Sequence, residues 1–141
     1  MSTFHLHLVS DATGETLIAI AHAATVQFED ADPIEHTWAL VRTPQQVEKV
    51  LHEIEAQPGI VMFTLVDKDI RQRLIEGCNA LQIPCVPVLD TVMAALSSFL
   101  GGKTKDMPGI QHVMDADYFD RIAAMSYTLA HDDGQAAANL K

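Results

Sequence analysis

The sequence predicts an α/β fold: a doubly wound, mostly parallel sheet of about four strands flanked by helices. Three observations predict it. Short apolar runs alternate with segments of helical periodicity along the 141 residues. One run, Ile60–Val66, is almost continuously apolar, which is typical of a strand buried on both faces of a parallel sheet. The connections are short, which favours right-handed β-α-β crossovers.

The predicted elements alternate along the chain in a Rossmann-like arrangement. Strands are predicted at Phe4–Val9, Glu35–Val41, Ile60–Val66 and Cys85–Leu89. Helices are predicted at Glu15–Phe28, Pro44–Glu55, Asp69–Leu81, Val92–Leu100 and Ala116–His131.

Local signals support several boundaries. Thr43 followed by Pro44 indicates an N-cap with proline at the first helical position. Asp67 is a suitable N-cap for the third helix. Pro58-Gly59 ends the second helix and turns the chain into the third strand.

Composition excludes several classes of protein. Nine Lys and Arg against nineteen Asp and Glu give a formal net charge of −10, which argues against a nucleic-acid partner. No apolar run approaches the ~20 residues of a membrane span, and no signal peptide is evident, so we expect a cytoplasmic protein with no membrane partner. Cys78 and Cys85 lack zinc-ligand spacing, so we expect reduced thiols and no metal site.

A small polar turn between the first strand and the first helix is the leading candidate site. Hydroxyls of Ser10, Thr13 and Thr16 can donate hydrogen bonds to an oxyanion. Gly14 permits close backbone approach, and Asp11 can orient a hydroxyl or hold a metal. A strand-to-helix turn is also where an open α/β sheet binds ligands. The same residue types serve as helix caps, and the residues alone leave both interpretations open.

Two other patterns are weaker. Gly102-Lys103-Thr104 resembles the end of a phosphate-binding P-loop, but Ser97 stands where the first glycine is required, and a helix precedes it. We interpret this segment as a loop. His5 and His7 share one face of the first strand without a third ligand at matched spacing, which favours packing over metal binding.

Charged residues near the C-terminal end form a third candidate. Arg121 suits pairing with a phosphate or carboxylate. His131, beside Asp132 and Asp133, suits a general base. The alternative is a cationic helix end followed by a stop at Gly134.

Taken together, these motifs resemble one bacterial family, the regulatory proteins of phosphoenolpyruvate synthase and of pyruvate, phosphate dikinase. The resemblance runs from about residue 4 to the end of the sequence. It is carried by the segments His7–Thr16, Phe63–Asp67, Pro108-Gly109 with His112, Tyr118–Ala124, and His131–Gly134.

The resemblance implies a bifunctional Ser/Thr kinase and phosphotransferase. Such proteins phosphorylate a threonine of the target enzyme with ADP as donor, and they remove that phosphate with inorganic phosphate, releasing pyrophosphate. ADP and inorganic phosphate are therefore the expected co-substrates, and phosphoenolpyruvate synthase or pyruvate, phosphate dikinase is the expected partner. The predicted catalytic residues are His131, Asp132 and Asp133, and the predicted anion- or partner-binding residues are Ser10, Asp11, Thr13, Gly14, Thr16 and Arg121.

The sequence departs from the family in length. Family members carry a P-loop-like segment after the His-Asp-Asp-Gly motif, and no such segment follows Gly134 here. We therefore expect residues 1–141 to be the N-terminal α/β domain of a longer protein, inactive as a kinase alone, with exposed apolar surface that favours a homo-oligomer. The alternative is a non-catalytic binding module that recognises a partner enzyme or a small anionic effector.

Overall fold

The computed structural model describes residues 2–101, in which four strands and four helices alternate. The strands are β1 (Ser2–Ser10), β2 (Ala31–Trp38), β3 (Gly59–Thr64) and β4 (Cys85–Pro87). The helices are α1 (Glu15–Thr25), α2 (Pro44–Ala56), α3 (Lys68–Ala80) and α4 (Asp90–Leu100). All strand pairs are parallel, and the order across the sheet is β2-β1-β3-β4. The predicted Rossmann-like α/β fold is confirmed.

The strand order creates a switch point between β1 and β3. The chain passes from β1 outward to β2, then returns across β1 to place β3 on its other side. In register, Ser10 at the end of β1 lies beside Thr64 at the end of β3. Ligands of open α/β sheets bind outside the carboxyl ends of the strands at this crevice.

The two faces of the sheet carry separate apolar cores. Alternate strand residues such as Val9, Val61 and Phe63 pack with the buried faces of α2 and α3. Leu6 and Leu8 alternate with Val9 along β1 and lie on the other face of the sheet, where they pack with the buried residues of α1. Because β1 contributes to both cores, it is the central buried strand, as continuous apolar character indicates.

A glycine sets the close approach of β1 and β3. A Cβ atom at Gly59 would lie 1.9 Å from the backbone oxygen of His5, well inside van der Waals contact. Only glycine fits at this position, because the obstructing atom is backbone and cannot rotate away.

Apolar surface remains exposed on two parts of the described domain. α4 buries none of its residues, and its Phe99 is 88% exposed. A groove of about 660 Å³ lies at the opposite end of the sheet from the switch point, beside the end of α1, and its walls include Phe4, Phe28 and Met62. No helix in residues 2–101 is long and apolar enough to cross a membrane.

The predicted second strand was misplaced. It was expected at Glu35–Val41, whereas β2 spans Ala31–Trp38. β2 contains Pro33, a residue type disfavoured in central strands, but β2 lies at the edge of the described sheet, where proline is tolerated. At the other end, Leu40 has a positive φ of 57°, which is incompatible with continued strand geometry.

Other boundaries differ by a few residues. α1 ends at Thr25 rather than Phe28, β3 ends at Thr64, and β4 ends at Pro87. The predicted helix over residues 116–131 and the Gly102-Lys103-Thr104 loop lie outside the described residues.

The two predicted helix caps are confirmed. Thr43 accepts a hydrogen bond from the Gln46 N–H, and the Gln46 side-chain oxygen accepts one from the Thr43 N–H, which completes a capping box. The Asp67 carboxylate accepts hydrogen bonds from the backbone of Asp69 and Ile70.

Both cysteines are free thiols in the α3–β4 region. Cys78 on α3 is buried, and Cys85 on β4 is half-buried. A hydrogen bond between the two thiols, followed by burial, raises the pKa of Cys85 well above its usual range. Cys85 is therefore a protonated packing residue rather than a reactive thiolate.

Candidate functional site

The Ser10–Thr16 turn lies at the switch point, where the sequence placed it. Ser10 is fully buried at the end of β1. Its Oγ accepts hydrogen bonds from the Ala12 N–H, at 3.0 Å, and from the Thr64 hydroxyl, at 3.3 Å. Ser10 therefore forms the floor of the turn and joins the ends of β1 and β3.

Asp11 makes a second connection across the switch point. Its buried carboxylate accepts a hydrogen bond of 3.0 Å from the Val66 N–H, in the turn after β3. Its own N–H donates to the Thr64 carbonyl, at 3.3 Å. The orientation of the whole turn depends on these bonds, because they tie it to the end of the neighbouring strand.

Gly14 gives the turn its sharp entry into α1. Its φ is 91°, in the left-handed region, and its carbonyl accepts the first helical hydrogen bond from Ile18. α1 begins without a side-chain cap. Because the N-cap residue is a glycine, it offers no side-chain cap to the backbone N–H groups at the start of α1, and these N–H groups together with the helix dipole suit an anion. Thr13 is exposed and Thr16 half-buried at this opening.

The loop after β2 is fastened to the same turn. The Leu40 N–H donates to the Ala12 carbonyl, and the Val41 N–H donates to the Ser10 carbonyl, both at 2.9 Å. Val41 is buried in the core shared with α2 and α3. The loop therefore forms one rim of the candidate site.

Arg42 on this rim was missed by sequence reasoning. Its Nε donates a 2.8 Å hydrogen bond to the Asp11 carbonyl, and its backbone N–H donates to the Gln46 side chain at 2.7 Å. Among residues 2–101, its terminal guanidinium nitrogens have no hydrogen-bond partner and no carboxylate within 4.0 Å. The available signal was its position between a strand end and the Thr43-Pro44 helix start.

A second arginine braces the other side of the switch point. Arg71 on α3 pairs with Asp90 at the start of α4 and donates to the Leu65 carbonyl at 3.2 Å. Its guanidinium lies 5.2 Å from the centre of the Phe63 ring. Arg71 thus fixes the turn after β3, and its charge is already neutralised.

The histidines of β1 form a separate structural cluster. His7 is buried, accepts a hydrogen bond from Trp38 Nε1 at 3.1 Å and contacts the Gln57 carbonyl through Nε2 at 2.8 Å. His5 contacts His36 at 2.9 Å. Burial lowers the pKa of His7, and the neighbouring His36 and His5 lower it further. These residues pack on the sheet face, and residues 2–101 contain no group of three or more ligands placed to hold a metal ion.

The comparison with known proteins assigns the family. A family model described as kinase/pyrophosphorylase matches residues 6–141, nearly the whole chain. The chain belongs to the kinase/pyrophosphorylase family.

Curated relatives in this family are regulatory proteins by name. A pyruvate, phosphate dikinase regulatory protein of Paramagnetospirillum magneticum is 57% identical over 96% of this chain and 43% of the relative. The protein of the same name in Caulobacter vibrioides is 50% identical, over 97% of this chain and 44% of the relative. That of Chelativorans sp. is 49% identical, over 99% and 52%. The chain thus spans about half the length of the curated relatives it matches.

In this family member, the described residues include five of the nine predicted site residues. Ser10, Asp11, Thr13, Gly14 and Thr16 form one continuous turn at the switch point. Arg121, His131, Asp132 and Asp133 lie outside the described residues. Within the turn, Ser10 and Asp11 are buried and hold the backbone, whereas Thr13 is exposed and Thr16 is half-buried.

Proposed function

We propose that this chain acts in reversible phosphorylation of a threonine on pyruvate, phosphate dikinase or phosphoenolpyruvate synthase. The observation that carries the proposal is the kinase/pyrophosphorylase match across residues 6–141. The names of the relatives support a regulatory role toward a dikinase. The uncapped helix start at the switch point is compatible with phosphate chemistry.

The proposed reactions share one chemical type. In the forward direction, the threonine oxygen attacks the β-phosphorus of ADP, the bond to the bridging oxygen breaks, AMP leaves, and a base takes the hydroxyl proton. In the reverse direction, an oxygen of inorganic phosphate attacks the phosphothreonine phosphorus. The bond to the threonine oxygen breaks, that oxygen takes up a proton, and pyrophosphate leaves. Both steps depend mainly on positioning and on neutralisation of phosphoryl charge.

The described turn supplies positioning in this proposal. The backbone N–H groups at the start of α1 donate hydrogen bonds to phosphoryl oxygens, and so do the Thr13 and Thr16 hydroxyls. Ser10 and Asp11 keep these donors in place through their bonds to Thr64 and Val66. The turn acts as a supporting phosphate site, whereas in longer family members a P-loop-like segment holds the nucleotide.

The residues proposed for proton transfer and threonine positioning are His131, Asp132 and Asp133. A histidine beside carboxylates is suited to accept the hydroxyl proton. Arg121 is proposed to neutralise phosphoryl charge.

The test is a two-direction transfer assay with the dikinase as substrate. Phosphothreonine is measured by mass spectrometry, with ADP for the forward reaction and inorganic phosphate for the reverse. In the full-length form of the protein, Asp132→Asn and Asp133→Asn should lower both rates by about a hundredfold or more. Near-normal rates in both variants would remove the proposed role of these residues.

The same assay tests the domain alone. We expect the 141-residue chain to transfer no phosphate without the rest of a full-length protein. Phosphate binding without transfer in any form of the protein would instead favour the non-catalytic binding module.

A further inference from the structure

We infer that Leu40 and Arg42 form a recognition element for a phosphorylated segment of the partner protein. In this inference, which rests on the proposed function, Arg42 binds the phosphoryl group and Leu40 contacts an apolar side chain next to the phosphothreonine. Neither residue belongs to the turn that the family resemblance identified.

Arg42 has the geometry of a pre-oriented anion ligand. The Nε bond to the Asp11 carbonyl and the capping contact of its backbone with Gln46 fix both ends of the residue. Within residues 2–101, no carboxylate pairs with the outer edge of the guanidinium, so this edge can bind an anion. It can do so although acidic residues outnumber basic ones by ten in the whole chain. An oriented guanidinium edge matches two phosphoryl oxygens at once.

Leu40 is held in an unfavourable backbone conformation with its side chain in solvent. Its φ of 57° is rare for a non-glycine residue, and the side chain is 50% exposed. Glycine or asparagine would adopt this conformation more easily. Strain of this kind is characteristic of functional positions, and an exposed leucine adds nothing to the core.

Leu40 and Arg42 lie on either side of Val41, which fixes the loop to the turn. Val41, between them, is buried and hydrogen-bonded to Ser10, so the loop cannot swing away from the turn. An apolar contact and a cation two residues apart match a peptide in which an apolar residue neighbours the phosphothreonine. Free inorganic phosphate would engage Arg42 alone, because it has no apolar part.

Binding to the 141-residue chain is measured by NMR titration at constant ionic strength. The probes are inorganic phosphate, ADP, and capped phosphothreonine tripeptides flanked either by leucines or by alanines. The native chain should bind the leucine-flanked peptide most tightly. Arg42→Gln should weaken binding of both phosphopeptides by about tenfold or more, as expected for loss of a charged hydrogen bond. Arg73→Gln, an exposed α3 residue with the same charge change, is the matched control and should bind like the native chain.

Leu40→Gly separates recognition from stability. It should abolish the preference for the leucine-flanked peptide while raising the melting temperature, because glycine relieves the positive φ. Gln82, the other non-glycine residue with positive φ in residues 2–101, supplies the control. Gln82→Gly should raise the melting temperature and leave peptide binding unchanged.

Several results would overturn the inference. Binding of the phosphopeptides by Arg42→Gln as tightly as by the native chain would overturn it, and so would retention of the leucine preference by Leu40→Gly. Tighter binding of ADP than of either peptide, lost in both variants, would assign the pair to a nucleotide instead. Because these measurements need no turnover, peptide binding by the 141-residue chain, together with no phosphate transfer by a full-length form, would count against the proposed function alone. Transfer by the full-length form that is unaffected by either substitution would count against this inference alone.

Discussion

Asp11 should act as a structural latch at the switch point, and replacing it should destabilise the domain. Asp11→Ala removes the buried carboxylate that accepts the Val66 N–H. That N–H then loses its partner in a part-buried position, which costs about 1–3 kcal/mol. We take about 2 kcal/mol, which corresponds to a fall of roughly 6 °C in melting temperature for a chain of this size.

Two variants make the measurement specific. Asp11→Asn retains an oxygen acceptor of the same shape and should cost less than half as much. Asp32→Ala removes an exposed carboxylate that accepts one hydrogen bond from Thr3, and it should cost less than about 0.5 kcal/mol. The assay is equilibrium urea unfolding followed by circular dichroism at pH 7.5. Equal stability of the Asp11→Ala and Asp32→Ala variants would refute the latch.

Two further predictions concern β1. Gly59→Ala should cost at least about 3 kcal/mol in urea unfolding, because its Cβ would overlap the His5 carbonyl and force β3 away from β1; a native-like midpoint would contradict this. Burial lowers the pKa of His7 below its ordinary 6.5, so the unfolded chain takes up a proton more readily than the folded one. The stability from neutral His7 is therefore complete above about pH 6.5 and is lost as the pH falls through the lower, folded pKa. The native chain should lose more stability between pH 7.5 and 5.5 than His7→Phe does, and equal losses would exclude His7 as the cause.

Local signals were sufficient for most of the fold. The apolar run of β3 reflects burial on both faces, and the caps at Thr43 and Asp67 are formed by neighbours in sequence. Such features depend on a few consecutive residues, so the sequence alone is enough to predict them. The alternation of these elements then leads to the parallel sheet.

The start of β2 could not be predicted without knowing that β1 pairs with it. Residues from Ala31 become a strand because β1 pairs with them, beginning at Ser2 opposite Ala31. Pro33 is acceptable because, within residues 2–101, no further strand lies on that side of β2. Neither fact is contained in the local pattern.

The same limit explains the missed rim of the site. Arg42 gains its orientation from Asp11, thirty-one positions earlier in the chain, and Leu40 is fixed to Ala12. No spacing rule connects these residues before the strand order is known. The turn at Ser10–Thr16 could be predicted because its whole signal lies within seven consecutive residues.

The central position of β1 has a consequence for how the chain folds during synthesis. β1 is synthesised before both of its neighbours, and the second of them, β3, begins at Gly59, which pairs with His5. At roughly 5–20 residues per second, β1 waits about 3 to 10 seconds for that partner to be synthesised. Throughout that interval, one edge of β1 is unpaired and open to other chains, so β1 is the strand most in need of protection by chaperones.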